Sequence, residues 1–214
     1  MAEAAAPLER HHMVRAAPAA WTAMLAGRGD LADEPLLAAW AQRGWPLIAR
    51  RPVCEDVPGT VPLGLPLPPA REKRRLTLRL APEDLVDSAP PPTLADARAA
   101  APEAWRNTIA SLLALDPQVR CFGSLAWQHL TGLAYLTAES DLDLLWRVDS
   151  AEAADALAGR IAEIAERAPM RIDGEFVTPA GVGVQWREWR SPARELVAKD
   201  RYGVRLADRA ELLP

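Results

Sequence analysis

Cysteine is nearly missing from this sequence. Its 214 residues include two, Cys54 and Cys121, far apart, outside any CxxC spacing and without a histidine at ligand spacing. That argues against a zinc site or a disulfide framework, and makes a reducing, cytoplasmic setting the expectation. Long apolar runs are absent too, so no membrane partner is expected. The opening residues from Met1 to Arg10 lack a basic stretch followed by an apolar one and do not read as a signal peptide. Positive charge is not in excess: the formal net charge of −4 argues against nucleic acid as a partner. Lysine is scarce, with Lys73 and Lys199 alone among 25 basic residues, which together with abundant alanine reads as compositional bias. No internal repeat is visible.

What is present is ordinary globular chemistry. Half the residues are hydrophobic and a quarter charged, enough for one large domain or two small ones. The clearest break is Ser88-Ala-Pro-Pro-Pro-Thr93, which divides the chain into an N-terminal domain over 1–87, a linker over 88–93 and a second domain over 94–214. The first domain is rich in proline and tryptophan. Residues 19–26 and 34–43 have helical spacing, with Trp21, Met24 and Leu25 on one side and Leu36, Leu37 and Trp40 on the other segment's face. Trp45 to Arg50 has a strand tendency. Pro52 to Pro69, with Gly59 and Gly64, should be loop or edge structure, and the alternation from Arg74 to Leu80 predicts a half-buried strand.

The second domain alternates more regularly. Helical segments are expected over Thr93–Leu115, with a second start near Pro102, over Ser124–Leu130 and over Ala151–Arg167. Strands are expected at Val119–Phe122, Ser140–Val148, Met170–Val177 and Val182–Trp186, the last two joined by a turn at Pro179-Ala-Gly181. A final hairpin would pair Glu195–Lys199 with Gly203–Leu206. The fold class is α+β: a mixed C-terminal sheet flanked by helices, beside a smaller proline-rich α+β domain.

The chemistry concentrates between Gly123 and Asp143. A strand runs into Gly123-Ser124 and a helix begins at once. Glycine allows close backbone approach, Ser124 can cap the helix or offer its hydroxyl to an anion, and unpaired N–H groups at a helix start attract phosphate. In Ser140-Asp-Leu-Asp-Leu-Leu-Trp146, two-residue spacing on a strand points Asp141 and Asp143 to one side and Leu142 and Leu144 into the core. Two adjacent carboxylates on an apolar strand repel, and a divalent cation removes that cost. The pair therefore reads as a metal site rather than a solvated strand end. Ile172-Asp-Gly-Glu-Phe176 offers a third carboxylate, Asp173 by preference and Glu175 as the alternative. Between Arg43 and Arg79 eight basic residues, among them Lys73, Arg74 and Arg75, face three acids. This run is either a solvated face or a surface for substrate phosphates or an acidic protein partner. Lys199, among apolar neighbours, is a further candidate for phosphate, ahead of Arg187. His129 lies a short way past the Gly-Ser turn. Trp127, Trp146 and Trp186 read as core or pocket wall, and His11 and His12 as local hydrogen-bond partners.

Gly123-Ser124 followed by Asp141-Leu-Asp143 resembles the signature of polymerase-β-like nucleotidyltransferases, with a longer insert between its halves. Cys121-Phe-Gly-Ser-Leu-Ala-Trp-Gln128, Leu130-Thr-Gly-Leu133, Tyr135-Leu and Ser140 to Trp146 together resemble the malonate decarboxylase holo-acyl-carrier-protein synthases. Arg10-His-His12, Pro62 to Pro69 with Lys73-Arg-Arg75, Asp173-Gly-Glu175 and Gln185-Trp-Arg-Glu188 extend the likeness over nearly the whole chain. The resemblance implies transfer of a phosphoribosyl-dephospho-CoA unit from 2′-(5″-triphosphoribosyl)-3′-dephospho-CoA to a serine of the apo acyl carrier protein subunit of malonate decarboxylase, with release of diphosphate. It implies Mg²⁺, two ions, on Asp141, Asp143 and Asp173, and donor phosphates near Gly123 and Ser124. Two other readings stand beside it: a nucleotidyltransferase that uses an ordinary nucleoside triphosphate, and a non-catalytic module that binds carrier protein.

Overall fold

The computed structural model describes residues 8–31, 34–71 and 74–213. They form an α+β protein of two compact units. One runs to Pro90 without Pro68–Ala70; the other takes in those three residues and everything from Pro91.

The first unit is a five-stranded sheet. Its strands are β1 (Met13–Ala16), β2 (Leu47–Ala49), β3 (Val61–Pro66), β4 (Arg75–Leu80) and β5 (Leu85–Ala89), in the order β4-β3-β2-β1-β5, with every neighbour antiparallel. Strand β4 buries Leu76, Leu78 and Leu80 and exposes the residues between them, as its alternation predicts. Two helices, α1 (Pro18–Ala26) and α2 (Pro35–Ala38), lie between β1 and β2 in sequence. The Trp21 indole donates to the Leu37 carbonyl at 2.7 Å, which joins them.

Four features of this unit depart from the sequence reading. The helix expected over 34–43 stops at Ala38 and continues as turns to Gly44, whose φ of +67° reverses the chain. The reversal lets Trp40 donate to the Pro46 carbonyl at 3.0 Å and meet Trp45 edge-on at 4.9 Å, so packing of two tryptophans overrides local helix propensity. Residues 61–66, expected as loop or edge, form an inner strand despite Pro62 and Pro66. Pro62 O accepts from Arg50 N, so the polar edge of Pro62 and Pro66 faces the β2 side, where pairing is confined to Leu63 and Gly64. Neither proline removes a bond to β4. Strand β1 was not anticipated. Nor was β5, which is exposed along most of its length and shows no alternation; Ser88 and Ala89, assigned by composition to the linker, are its last residues and pair with Val14 and Met13.

The second unit has six strands: β6 (Arg120–Phe122), β7 (Leu142–Arg147), β8 (Ile172–Val177), β9 (Gly183–Gln185), β10 (Glu195–Lys199) and β11 (Val204–Asp208), in the order β11-β10-β9-β8-β7-β6. The β7–β8 pair is parallel and the other neighbours are antiparallel. The helices are α3 (Leu94–Ala97), α4 (Arg106–Leu115), α5 (Gly123–Thr131), α6 (Ala151–Ala165), α7 (Trp186–Trp189) and α8 (Arg209–Leu212). Helix α6 is the crossover that the parallel pair requires. Ser150 caps it by accepting from Ala153 N at 3.2 Å, and it buries Ala154, Ala158 and Ile161. The core beneath the sheet gathers Leu142, Leu144, Trp146, Ile172, Phe176 and Val184 from alternate strand positions. Phe176 stands edge-on to both Trp146 and Trp189. Trp186, expected to end a strand, opens α7, because Gln185 captures the first free N–H groups there.

Candidate active site

The sheet register builds the site. Pairing of β6 with β7 sets Phe122 opposite Asp143, which carries Gly123 to the side of the Asp143 carboxylate. Gly123 has φ +63°, and a Cβ at this position would lie 1.9 Å from Asp143 Oδ2. Only glycine satisfies both the left-handed backbone and the carboxylate against it. The Gly-Ser turn and the Asp strand, separated by a long insert in sequence, are thus one structure.

That insert is held by α5. Gly132, with φ +72°, ends the helix, and the Gln128 amide accepts from Tyr135 N at 3.1 Å and Leu136 N at 3.0 Å. The rings of Trp127 and Tyr135 stack at 5.9 Å, both buried. Trp127 and Trp146 are core residues, as expected. Ser140 Oγ accepts from Thr137 N at 2.9 Å, closing the turn that delivers the chain to Asp141.

Ser124 differs from its expected role as a cap. Phe122 occupies the cap position of α5, no side chain caps the helix, and Ser124 lies inside the first turn. First-turn N–H groups have no acceptor within their own helix, and the Ser124 hydroxyl lies among them. His129, by contrast, is exposed in the last turn of α5, six residues from Gly123.

Asp141 immediately precedes β7, and Asp143 is its second residue. The parallel register pairs Asp143 with Asp173 and Leu145 with Glu175, so Asp143, Asp173 and Glu175 share the face opposite the core. The two candidates for third carboxylate have different surroundings. Glu175 is 6% exposed and meets Lys199 Nζ at 3.1 Å, a half-buried pair of opposite charges. Asp173 is more open. Its Oδ1 accepts from Gly174 N at 2.9 Å and Gln185 Nε2 at 2.7 Å, while Arg171 lies 3.7 Å from Oδ2. Among the described residues no three His, Cys, Asp or Glu side chains converge into a metal-binding group. The oxygen-only donors Asp141 and Asp143, with a glycine cradle that a Cβ would fill, nevertheless suit Mg²⁺, which takes one or two carboxylates and completes its shell with substrate phosphate and water.

Cys121, on β6 beside the site, is fully buried. Burial, with a smaller contribution from the Asp143 charge, pushes its thiol up to about 12. It stays protonated at neutral pH and offers no nucleophile.

Of the cationic candidates, Lys199 shares the carboxylate face but contacts Glu175, and Arg187 donates to the Ile172 carbonyl at 3.0 Å while stacking on Trp186 at 4.3 Å. The basic run lies in the first unit and divides in two. Arg50 pairs with Asp56, Arg71 with Glu34, Arg79 with the Glu55 carbonyl, and Arg43 stacks on Trp45. Arg74 and Arg75 are exposed, and Lys73 lies outside the described residues. His12 is 3.7 Å from Glu9 and His11 meets Arg10 at 3.1 Å, the local pairs expected of them. The residue with an unforeseen place is Gln185. The likeness at Gln185-Trp-Arg-Glu188 includes it without a role, because its contact with Asp173 depends on the β8–β9 register.

Comparison with known proteins gives matches to both units. The model described as phosphoribosyl-dephospho-CoA transferase MdcG N-terminal domain matches residues 9–91, and that of the MdcG C-terminal domain matches residues 93–210. A phosphoribosyl-dephospho-CoA transferase of Bradyrhizobium diazoefficiens is 44% identical over 211 residues, 97% of this chain and 93% of its own. One from Xanthomonas euvesicatoria pv. vesicatoria is 38% identical over 202 residues, 92% of each chain. One from Pseudomonas aeruginosa is 34% identical over 171 residues, 76% of this chain and 78% of its own. No solved structure matches.

Proposed function

The chain belongs to the phosphoribosyl-dephospho-CoA transferase family, and we propose that it transfers this group from 2′-(5″-triphosphoribosyl)-3′-dephospho-CoA to a serine of the apo acyl carrier protein subunit of malonate decarboxylase. The reaction is then a nucleotidyl transfer of the polymerase-β type. The serine oxygen forms a bond to the α-phosphorus, the bond from that phosphorus to the β-phosphate's bridging oxygen breaks, and diphosphate leaves. The observation that carries this reading is the contact of Gly123 with the Asp143 carboxylate, with Asp173 beside it in register.

Catalysis of this kind is mostly positioning and charge neutralisation. The N–H groups at Gly123 and Ser124 and the Ser124 hydroxyl bind donor phosphate. Asp141 and Asp143 are the residues that would hold Mg²⁺, with Asp173 beside Asp143 in register, and the ion when bound would neutralise phosphate charge and acidify the acceptor hydroxyl. Asp173 takes the serine proton. Asp173 is preferred over Glu175 because the Glu175 charge is already answered by Lys199. Lys73, Arg74 and Arg75 supply positive charge for the donor's phosphates or for an acidic carrier protein. The reading takes the enzyme as cytoplasmic, in keeping with Cys54 and Cys121 both being free thiols. Among the described residues no helix is long and apolar enough to cross a membrane.

The test is mass spectrometry of apo carrier protein incubated with enzyme, Mg²⁺ and the triphosphoribosyl donor. The expected result is a carrier protein heavier by one phosphoribosyl-dephospho-CoA group, attached at serine. Unmodified carrier with a competent donor overturns the proposal, and an adduct formed from an ordinary nucleoside triphosphate reassigns the donor.

A further inference from the structure

Gln185 is the last residue of β9, directly opposite Glu175 and one step along the sheet face from Asp173. Its Oε1 accepts two backbone N–H groups at the start of α7, those of Arg187 at 2.6 Å and Glu188 at 3.0 Å. An amide has an oxygen at one end only, so these two donors fix its orientation and turn Nε2 outward. Nε2 then donates to Asp173 Oδ1 at 2.7 Å.

The effect on Asp173 is one-sided. Gly174 N donates to the same Oδ1 at 2.9 Å, so that oxygen has two well-placed donors. Oδ2 has no such donor, only the exposed Arg171 guanidinium at 3.7 Å. The carboxylate is pinned through one oxygen and presents the other. The anchor behind the pin is rigid. Trp186 and Trp189 bury α7, and the Trp186 indole and the Arg187 guanidinium both reach the carbonyl of Ile172, the residue before Asp173. Other side chains fail at this position for definite reasons. Asparagine is a methylene shorter. Glutamate still accepts from α7 but sets an anionic oxygen against Asp173. Leucine does neither.

We propose that Gln185 is a positioning residue for the transfer reaction, holding Asp173 by Oδ1 so that Oδ2 meets the acceptor hydroxyl. The proposal rests on the role given to Asp173 above. It assigns Gln185 an effect on turnover and none on donor affinity, since the amide touches Asp173 and not the phosphate-binding turn.

Gln185→Glu separates this role from a structural one, because glutamate keeps the acceptor that α7 needs. The expected result is a kcat lower by about 10- to 100-fold, the range for a partner that orients a reacting group, with KM for the triphosphoribosyl donor and the melting temperature close to wild type. Gln185→Leu, which loses both partners, should lower kcat and also melt earlier. Wild-type kcat in Gln185→Glu overturns the proposal, as does a loss that appears wholly in KM. If the glutamate variant melts early, kcat measured well below its melting temperature decides in the same way. Asp173→Asn run alongside tells the two failures apart. Wild-type turnover in Asp173→Asn removes the role of Asp173 itself. Loss there with unchanged Gln185→Glu removes only the positioning.

Discussion

The two sheets differ in the charges their strand registers bring together. In the N-terminal sheet, Arg15 on β1 is in register with Asp87 on β5, and the two side chains meet at 3.1 Å. Arg50 and Asp56 close a second, less exposed pair at 2.5 Å and 2.7 Å, which holds the Asp56 carboxyl below its usual range. In the C-terminal sheet one register sets like against like: the pairing of β7 with β8 puts Asp143 beside Asp173, with Asp141 just ahead. Neighbouring like charges cost stability where opposite charges contribute it. Two residues beyond Asp173 on β8, Glu175 meets Lys199 of β10, whereas Asp143 and Asp173 stand side by side, with Arg171 3.7 Å from Asp173; setting two acids together is a local cost of the kind a binding site would repay. The comparison therefore separates variants that cost activity from variants that cost only stability.

The largest effect belongs to Asp143. Asp143→Asn removes a carboxylate from the reacting face while keeping its size, so turnover should fall by about a hundredfold or more. The same change relieves the repulsion with Asp173, so the melting temperature should hold or rise. Mg²⁺ should raise the melting temperature of the wild type but not of the variant. Steady-state transfer assays and melts with and without Mg²⁺ check this. An active variant, or one that melts well below wild type, breaks the contrast between the sheets.

Gly123→Ala comes next, and it should damage both properties. The added methyl meets Asp143 Oδ2 at 1.9 Å, so the carboxylate must move, and the φ of +63° costs alanine about 1–2 kcal/mol. A fall in melting temperature of about 2–8 °C follows for a chain of this length. Turnover should fall further than the melt accounts for, with KM for the donor rising because the phosphate turn itself is displaced. Wild-type KM in a folded variant would detach the turn from donor binding.

These features differ in how far the residues announced them. The α+β class, β4 and the segments that form β7, α6 and β8 were legible from buried faces with a clean period, and the β10–β11 hairpin was expected although Val204, Arg205 and Leu206 are exposed. Asp141, Asp143 and Gly123-Ser124 were legible because acids on an apolar strand and a glycine at a strand-to-helix junction are locally anomalous. Strands β1 and β5 were not, since a four-residue strand and an exposed edge carry no pattern. The shortening of α2 depends on Trp40 meeting Trp45, a tertiary event. The choice between Asp173 and Glu175 was closed to sequence for a similar reason. Both lie on one face of β8, and only the neighbours across the sheet, Lys199 for one and Gln185 for the other, tell them apart.

The smallest effect tests the other side of the comparison. Asp87→Asn breaks the Arg15 pair, whose side chains are 42% and 49% exposed. At that exposure water and salt screen the attraction, so the pair is worth at most about 1 kcal/mol. Arg15 also donates to the Gly44 carbonyl at 2.8 Å, a bond that the variant leaves intact. The melting temperature should therefore fall by no more than about 2–4 °C, less so in high salt, and kcat and KM should stay at wild-type values. Melts at low and high ionic strength, with transfer assays on the same preparations, measure both. A loss of turnover from this substitution would mean that charge pairing in the N-terminal sheet serves the reaction as well as the fold, and the division of labour between the sheets would have to be redrawn.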